Sequence, residues 1–147
     1  MKRLFVMAPA LSLVIVAGCT GVFEPGEAER LRQAQARWVA QGIDDYTFET
    51  RTLCFCGPEV YEWAIVEVRN DRIVSAKTLD GVPLNEYGLG ARKTVNQLFE
   101  TAWTAGGEWI ADVDFSFDSR LGYPVKINLI AKENVTDGGA TYEARKL

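Results

Sequence analysis

The chain has 147 residues, 48% of them hydrophobic and 24% charged, with a formal net charge of −4. That balance excludes a disordered chain, and the lack of any basic cluster excludes a nucleic-acid binder. There is no histidine, which excludes every Ser-His or Cys-His dyad and the commonest metal ligand.

Met1-Lys2-Arg3 opens the chain, and an apolar run follows from Leu4 to Ala17. A charged start, a short apolar core and small residues before a cut are the parts of an export signal. The run is shorter than the ~20 residues that cross a bilayer as a helix. Leu13-Val14-Ile15-Val16-Ala17-Gly18-Cys19 resembles the bacterial lipobox, an aliphatic residue and two small ones before a cysteine. The resemblance implies cleavage before Cys19 and lipid on its thiol and new amine, so that the membrane itself is a partner. The alternative is an ordinary signal peptide in which Cys19 plays no part. Several acyl chains anchor stably where one does not. Thr20, rather than an aspartate, follows the cysteine. In a Gram-negative source this implies the outer membrane, with the domain facing the periplasm.

The expected organisation is therefore a signal peptide over 1–18, a tether over 19–26 and a single domain over 27–147. Loss of Lys2 and Arg3 takes 16 basic residues to 14 against 20 acidic ones, a net −6. The tether reaches only ~20 Å when extended.

Leu31, Ala34 and Trp38 share one face of a helix over Glu27–Gln41, with Gly42 placed to end it. Tyr46–Leu53 reads as a strand with Tyr46 and Phe48 on one side. Val60–Arg69 is apolar on both sides and reads as a central, doubly covered strand. Asn70-Asp71 is a two-residue hairpin turn that returns the chain along Arg72–Leu79. Asp80-Gly81, Pro83 and Gly88/Gly90 mark a loop.

Thr94 and Gln97 form a capping box before Val95, Leu98, Phe99 and Ala102, which define a second helix. Trp109–Asp118 alternates, with Trp109, Ala111, Val113, Phe115 and Phe117 inward and Asp112, Asp114, Ser116 and Asp118 outward. Val125–Ala131 follows after a turn, and Ala140–Ala144 reads as a last edge strand. The expected fold is α+β: an antiparallel sheet of five to six strands with two helices packed on it, in the order α-β-β-β-α-β-β(-β). No glycine-rich phosphate loop follows a strand, which excludes a nucleotide-binding fold.

Cys54-Phe55-Cys56-Gly57-Pro58 is the one unusual local motif. With Cys19 committed to lipid, Cys54 and Cys56 pair with each other or with another molecule. Residues i and i+2 of a strand lie ~6.6 Å apart, at the long edge of disulfide geometry. Gly57 and Pro58 end the strand, where the backbone can curl. Three readings stay open: a structural disulfide, a redox-active dithiol, and a two-thiolate metal site that no histidine completes. The carboxylates Asp112, Asp114 and Asp118 form a stripe that reads as a solvated face rather than a cation site. Tyr87, between glycines, is the aromatic with the best claim to exposure and to a recognition role. Asn134-Val135-Thr136 fits the glycosylation pattern by chance.

These features recur together in a known family. They are the lipobox cysteine, Trp38 before Gly42-Ile43, Tyr46-Thr47-Phe48, Cys54-Phe55-Cys56, Val66-Glu67-Val68 before Asn70-Asp71, and Thr94-Val95 before Leu98-Phe99. Asp118 before Leu121-Gly122-Tyr123-Pro124 and Asp137 after the last clear strand complete the set. The chain resembles a family of bacterial lipoproteins defined by a domain of unknown function, family 6174. An acidic residue is expected just after Val125–Leu129, where this chain has Ile130-Ala131-Lys132-Glu133. The resemblance implies no activity and no cofactor. No catalytic residue or metal ligand is assigned. The expected function is a non-enzymatic, membrane-anchored binding or accessory module of the cell envelope, whose ligand is a protein, a peptide or a small envelope molecule. The alternative is a thiol redox or metal-handling protein built on Cys54 and Cys56.

Overall fold

The computed structural model describes residues 26–147. The export signal, Cys19 and the tether before Gly26 lie outside the described residues. Helix α1 (Glu27–Val39) buries Leu31, Ala34 and Trp38, the three residues of its periodic face. Glu27 and Glu29 occupy its first turn and Arg37 its last, which suits the helix dipole. Gly42 beyond it takes a positive φ of 61°.

Strand β1 (Tyr46–Leu53) runs into a short helix, α2 (Pro58–Tyr61), before β2 (Ala64–Arg69). This corrects the reading of Val60–Arg69 as one strand. Pro58 has its φ preset for a first helical turn, and Gly57 precedes it as an extended cap. Val60 is buried from the helix, and Tyr61 turns outward. Asn70 and Asp71 have φ of 49° and 55°, the twist of a two-residue hairpin turn into β3 (Arg72–Thr78).

A short helix α3 (Glu86–Gly90) lies within the expected loop, with the Asn85 side chain accepting from the Gly88 N–H. Helix α4 (Val95–Trp103) carries the full capping box between Thr94 and Gln97. Strands β4 (Ile110–Phe117), β5 (Pro124–Ala131) and β6 (Ala140–Arg145) complete the fold.

The six strands form one antiparallel sheet in the order β3-β2-β1-β6-β5-β4. The architecture is α+β, as the sequence predicts. β6 is not an edge strand: it pairs with β1 on one side and β5 on the other. The edges are β3 and β4. β4 also departs from its simple alternation. Register shifts between Ile110 and Asp112, so Ala111 is exposed, and Trp109 lies outside the strand with 59% of its surface in solvent.

The core lies on one face of the sheet. Phe48, Val66, Val68, Val113, Phe115, Ile127 and Ala144 pack there against Leu31, Trp38, Leu98 and Phe99 of the two longer helices. β2 is therefore covered on one face only; Ile65 and Glu67 point to the other and are half-buried.

The Gly-Tyr-Pro motif fastens α1 to this core. Gly122 has a φ of 88°, and a Cβ there would stand 2.5 Å from the Ala34 carbonyl of α1. Tyr123 packs edge-on against Trp38 at 6.5 Å, and Pro124 starts β5 fully buried. Tyr46 sits beside Trp38 at 5.5 Å and accepts the Val95 N–H at the start of α4. Burial pushes its phenol up to about 12.

Candidate functional site

Antiparallel pairing gathers particular chain segments at each end of the sheet. At one end stand the close of β1, the start of β2, the close of β3 and the segment around α3. Two tight turns, Asn70-Asp71 and Asp118–Tyr123, occupy the other.

The first end carries Cys54-Phe55-Cys56. The two cysteines are bonded to each other, with their Cα atoms 5.3 Å apart. That is well short of the strand spacing, and the cause is local. The Cys56 N–H donates to the Cys54 carbonyl at 2.9 Å, closing a three-residue turn. Phe55 has no positive φ, so the turn is of the inverse kind. Phe55 is its central residue and projects away from the domain, 87% exposed. Both sulfurs lie near the Thr52 carbonyl. While the pair is bonded it offers no thiolate to a metal.

Tyr61 flanks the same turn, and with Phe55 and the two cysteines it lines a shallow cavity of about 220 Å³. Tyr61 is 42% exposed and Tyr87, on α3, 58%. The Tyr87 ring lies 3.7 Å from where a Cβ on Gly57 would stand. Gly88 brings α3 this close: a Cβ on it would press on Glu59 of α2 at 3.0–3.1 Å. Phe55, Tyr61 and Tyr87 thus form one exposed aromatic patch. Of the exposed large hydrophobic side chains, Leu53, Phe55, Tyr61, Leu79, Val82 and Tyr87 all belong to the segments at this end.

Beneath the patch lies Arg92, only 5% exposed. Its guanidinium donates to three backbone carbonyls, those of Thr50 on β1 and of Glu59 and Glu62 around α2. Its Nε–H meets no acceptor among the described residues. Burial lowers its pKa from the ordinary arginine value. Arg92 and Trp63, with Pro58, Glu59 and Leu84, line a second cavity of about 170 Å³.

The opposite, helix-free face of the sheet is polar and largely self-neutralised. Arg51 pairs with Glu143, while Arg145 and Lys146 both pair with Glu49. Trp63 stacks on both arginines, with Arg145 at 4.0 Å and Arg51 at 4.7 Å from the ring centre. The Lys146 ammonium, followed by Arg145, holds the Glu49 carboxyl below its ordinary 4.5, against the raising effect of burial.

The aspartate stripe does not converge. Asp118 accepts from the Arg120 and Leu121 N–H groups within its turn, and Asp112 accepts from the Val113 N–H. Among the described residues no three Cys, Asp or Glu side chains are grouped to hold a metal ion.

The sequence singles out Cys54, Cys56 and Tyr87, and the structure brings all three to one end. It gives no forewarning of Arg92 or Tyr61. Arg92 carries no signal of burial before the capping box, and Tyr61 was assigned to a strand face.

Residues 30–147 match the sequence model of a family described as a family of unknown function, DUF6174. The chain matches no curated protein and no solved structure.

Proposed function

We propose that this chain, which belongs to the family of unknown function DUF6174, is a lipid-anchored envelope protein whose domain binds a protein or peptide partner. Anchoring rests on the signal and lipobox pattern ending at Cys19. Binding rests on one observation: Phe55 stands 87% exposed at the centre of a turn closed by its two bonded neighbours. Exposing a phenylalanine forfeits the gain from burying it, about 1.5–3 kcal/mol. Holding it in one place removes much of the ordering cost of inserting it into a partner. A few buried aromatic anchors usually dominate the energy of an interface. Tyr61 and Tyr87 extend the surface around this anchor.

A photo-crosslinking amino acid in place of Phe55, used in intact cells, tests the reading. The expected result is a discrete adduct that is missing when the same residue replaces Ser116 on the open sheet face. No adduct at position 55 in any growth phase sinks it.

A second reading draws on the half-buried Cys54–Cys56 bond beside the same cavity. There a partner dithiol would exchange with the pair. In that case Cys54→Ser with Cys56→Ser abolishes the phenotype, while Phe55→Ser spares it. A binding anchor gives the opposite order.

A further inference from the structure

We infer that the segment docking on the aromatic patch is cationic, a stretch of envelope protein or peptide rich in lysine and arginine beside an apolar residue. The inference rests on the binding reading above and names the chemistry of its partner.

Charge around the patch carries it. Residues 53–64 and 78–91, which build the β1-β2-β3 half of this end around the rings, contain Glu59, Glu62, Asp80 and Glu86 and no lysine or arginine. None of these four carboxylates forms an ion pair among the described residues. On the open face the acids of β1, β2 and β6 are all matched: Glu49 by Arg145 and Lys146, Glu67 by Arg69, and Glu143 by Arg51. The nearest cation beneath the patch, Arg92, is buried and spent on backbone carbonyls. Carboxylates without an ion pair, and with no lysine or arginine in the same two segments, thus flank the exposed rings.

Aromatic faces and carboxylates select for the same ligand. Ring faces attract ammonium and guanidinium groups, and the carboxylates add Coulomb attraction and steer the encounter. An acidic segment is repelled by both. A purely apolar segment leaves the carboxylates without partners. The anionic headgroups of a lipid surface are excluded on the same ground.

The purified detergent-solubilised protein can be titrated with two labelled twelve-residue peptides. One repeats Lys-Leu-Lys-Phe, and the other has glutamate in place of each lysine. The lysine peptide is expected to bind and the glutamate peptide not. Substituting Glu59→Gln, Glu62→Gln and Glu86→Gln together is expected to weaken binding about 10-fold at low salt, as three lost surface pairs would. The same charge removed by Glu100→Gln, Asp114→Asn and Glu133→Gln is expected to change it less than about 2-fold.

Equal losses in the two triple variants would mean attraction to net charge alone and overturn the proposal. Equal binding of the two peptides, lost in Phe55→Ser, overturns the cationic preference and leaves the anchor standing. Failure of both peptides to bind, together with no adduct at position 55 in cells, removes both.

Discussion

Arg92 shows how one side chain sets a surface that it does not reach. It ties the Thr50 carbonyl on β1 to the Glu59 and Glu62 carbonyls around α2, so the loop bearing Tyr61 cannot lift without breaking bonds to a buried charge. Arg92→Met keeps the length of the side chain and removes the donors. Three carbonyls lose their partner, while the cost of burying a charge is relieved. A net loss of about 2 kcal/mol is expected in urea unfolding. Amide exchange should quicken in residues 54–63 while α4 stays protected. Cys54 and Cys56 act more locally. Their bond closes a very short loop and stabilises the whole domain only a little. Its main effect is to keep Phe55 where the turn puts it.

At the scale of elements, the two longer helices, the two hairpin turns and most strands were legible because their signals are local. Leu31, Ala34 and Trp38 repeat at helical spacing, and Thr94 and Gln97 cap in sequence. The position of β6 was not. Ala140–Arg145 is short, with Thr141, Glu143 and Arg145 on its open face, and such a pattern reads as a margin. Its central place depends on partners 88 to 96 residues away on β1, which no window of sequence contains. α2 is hidden for a different reason: Val60 and Tyr61 continue the apolar run into β2, which masks the helix-start signal of Gly57-Pro58. Of the two true edges, β4 carries its own protection. Its register shifts at both ends, Asp112 and Asp114 face solvent, and Asp112 occupies the Val113 N–H. Edge strands are commonly guarded in this way against pairing with other chains. Asp112→Val with Asp114→Val is therefore expected to promote self-association, visible as concentration-dependent sedimentation, with little change in the circular dichroism of the dissolved fraction.

At the scale of the whole molecule, charge is divided between two surfaces. Across β1, β2 and β6 the open sheet face settles its charges internally, with Glu49 between Arg145 and Lys146. Because the folded pKa of Glu49 is depressed, its contribution is present above the ordinary carboxylate value of 4.5 and is lost as pH falls through the lower folded value. Glu49→Gln is expected to cost about 1 kcal/mol at pH 7, discounted for the exposure of Arg145 and Lys146. The deficit should shrink as pH falls from 4.5 through the lower folded value, as unfolding midpoints at neutral and acid pH would show. The disulfide end is the reverse case, keeping its carboxylates unmatched and its aromatic rings in water. A partner is what that imbalance suits, and the imbalance itself became visible only once the loops were placed together.

The middle position of β6 also governs how the domain assembles in time. The β1-β2-β3 meander and the β4–β5 hairpin are each built from neighbouring segments, and each can form early. Nothing joins them as a sheet until the strand made last slides between them. Contacts of such long sequence separation slow folding, since the loop entropy is lost before they form. Until that moment β1 and β5 present two bare edges, the state most open to chaperones and to wrong pairings. Once β6 is seated, the two halves come apart only by expelling it, which makes it the latch of the sheet.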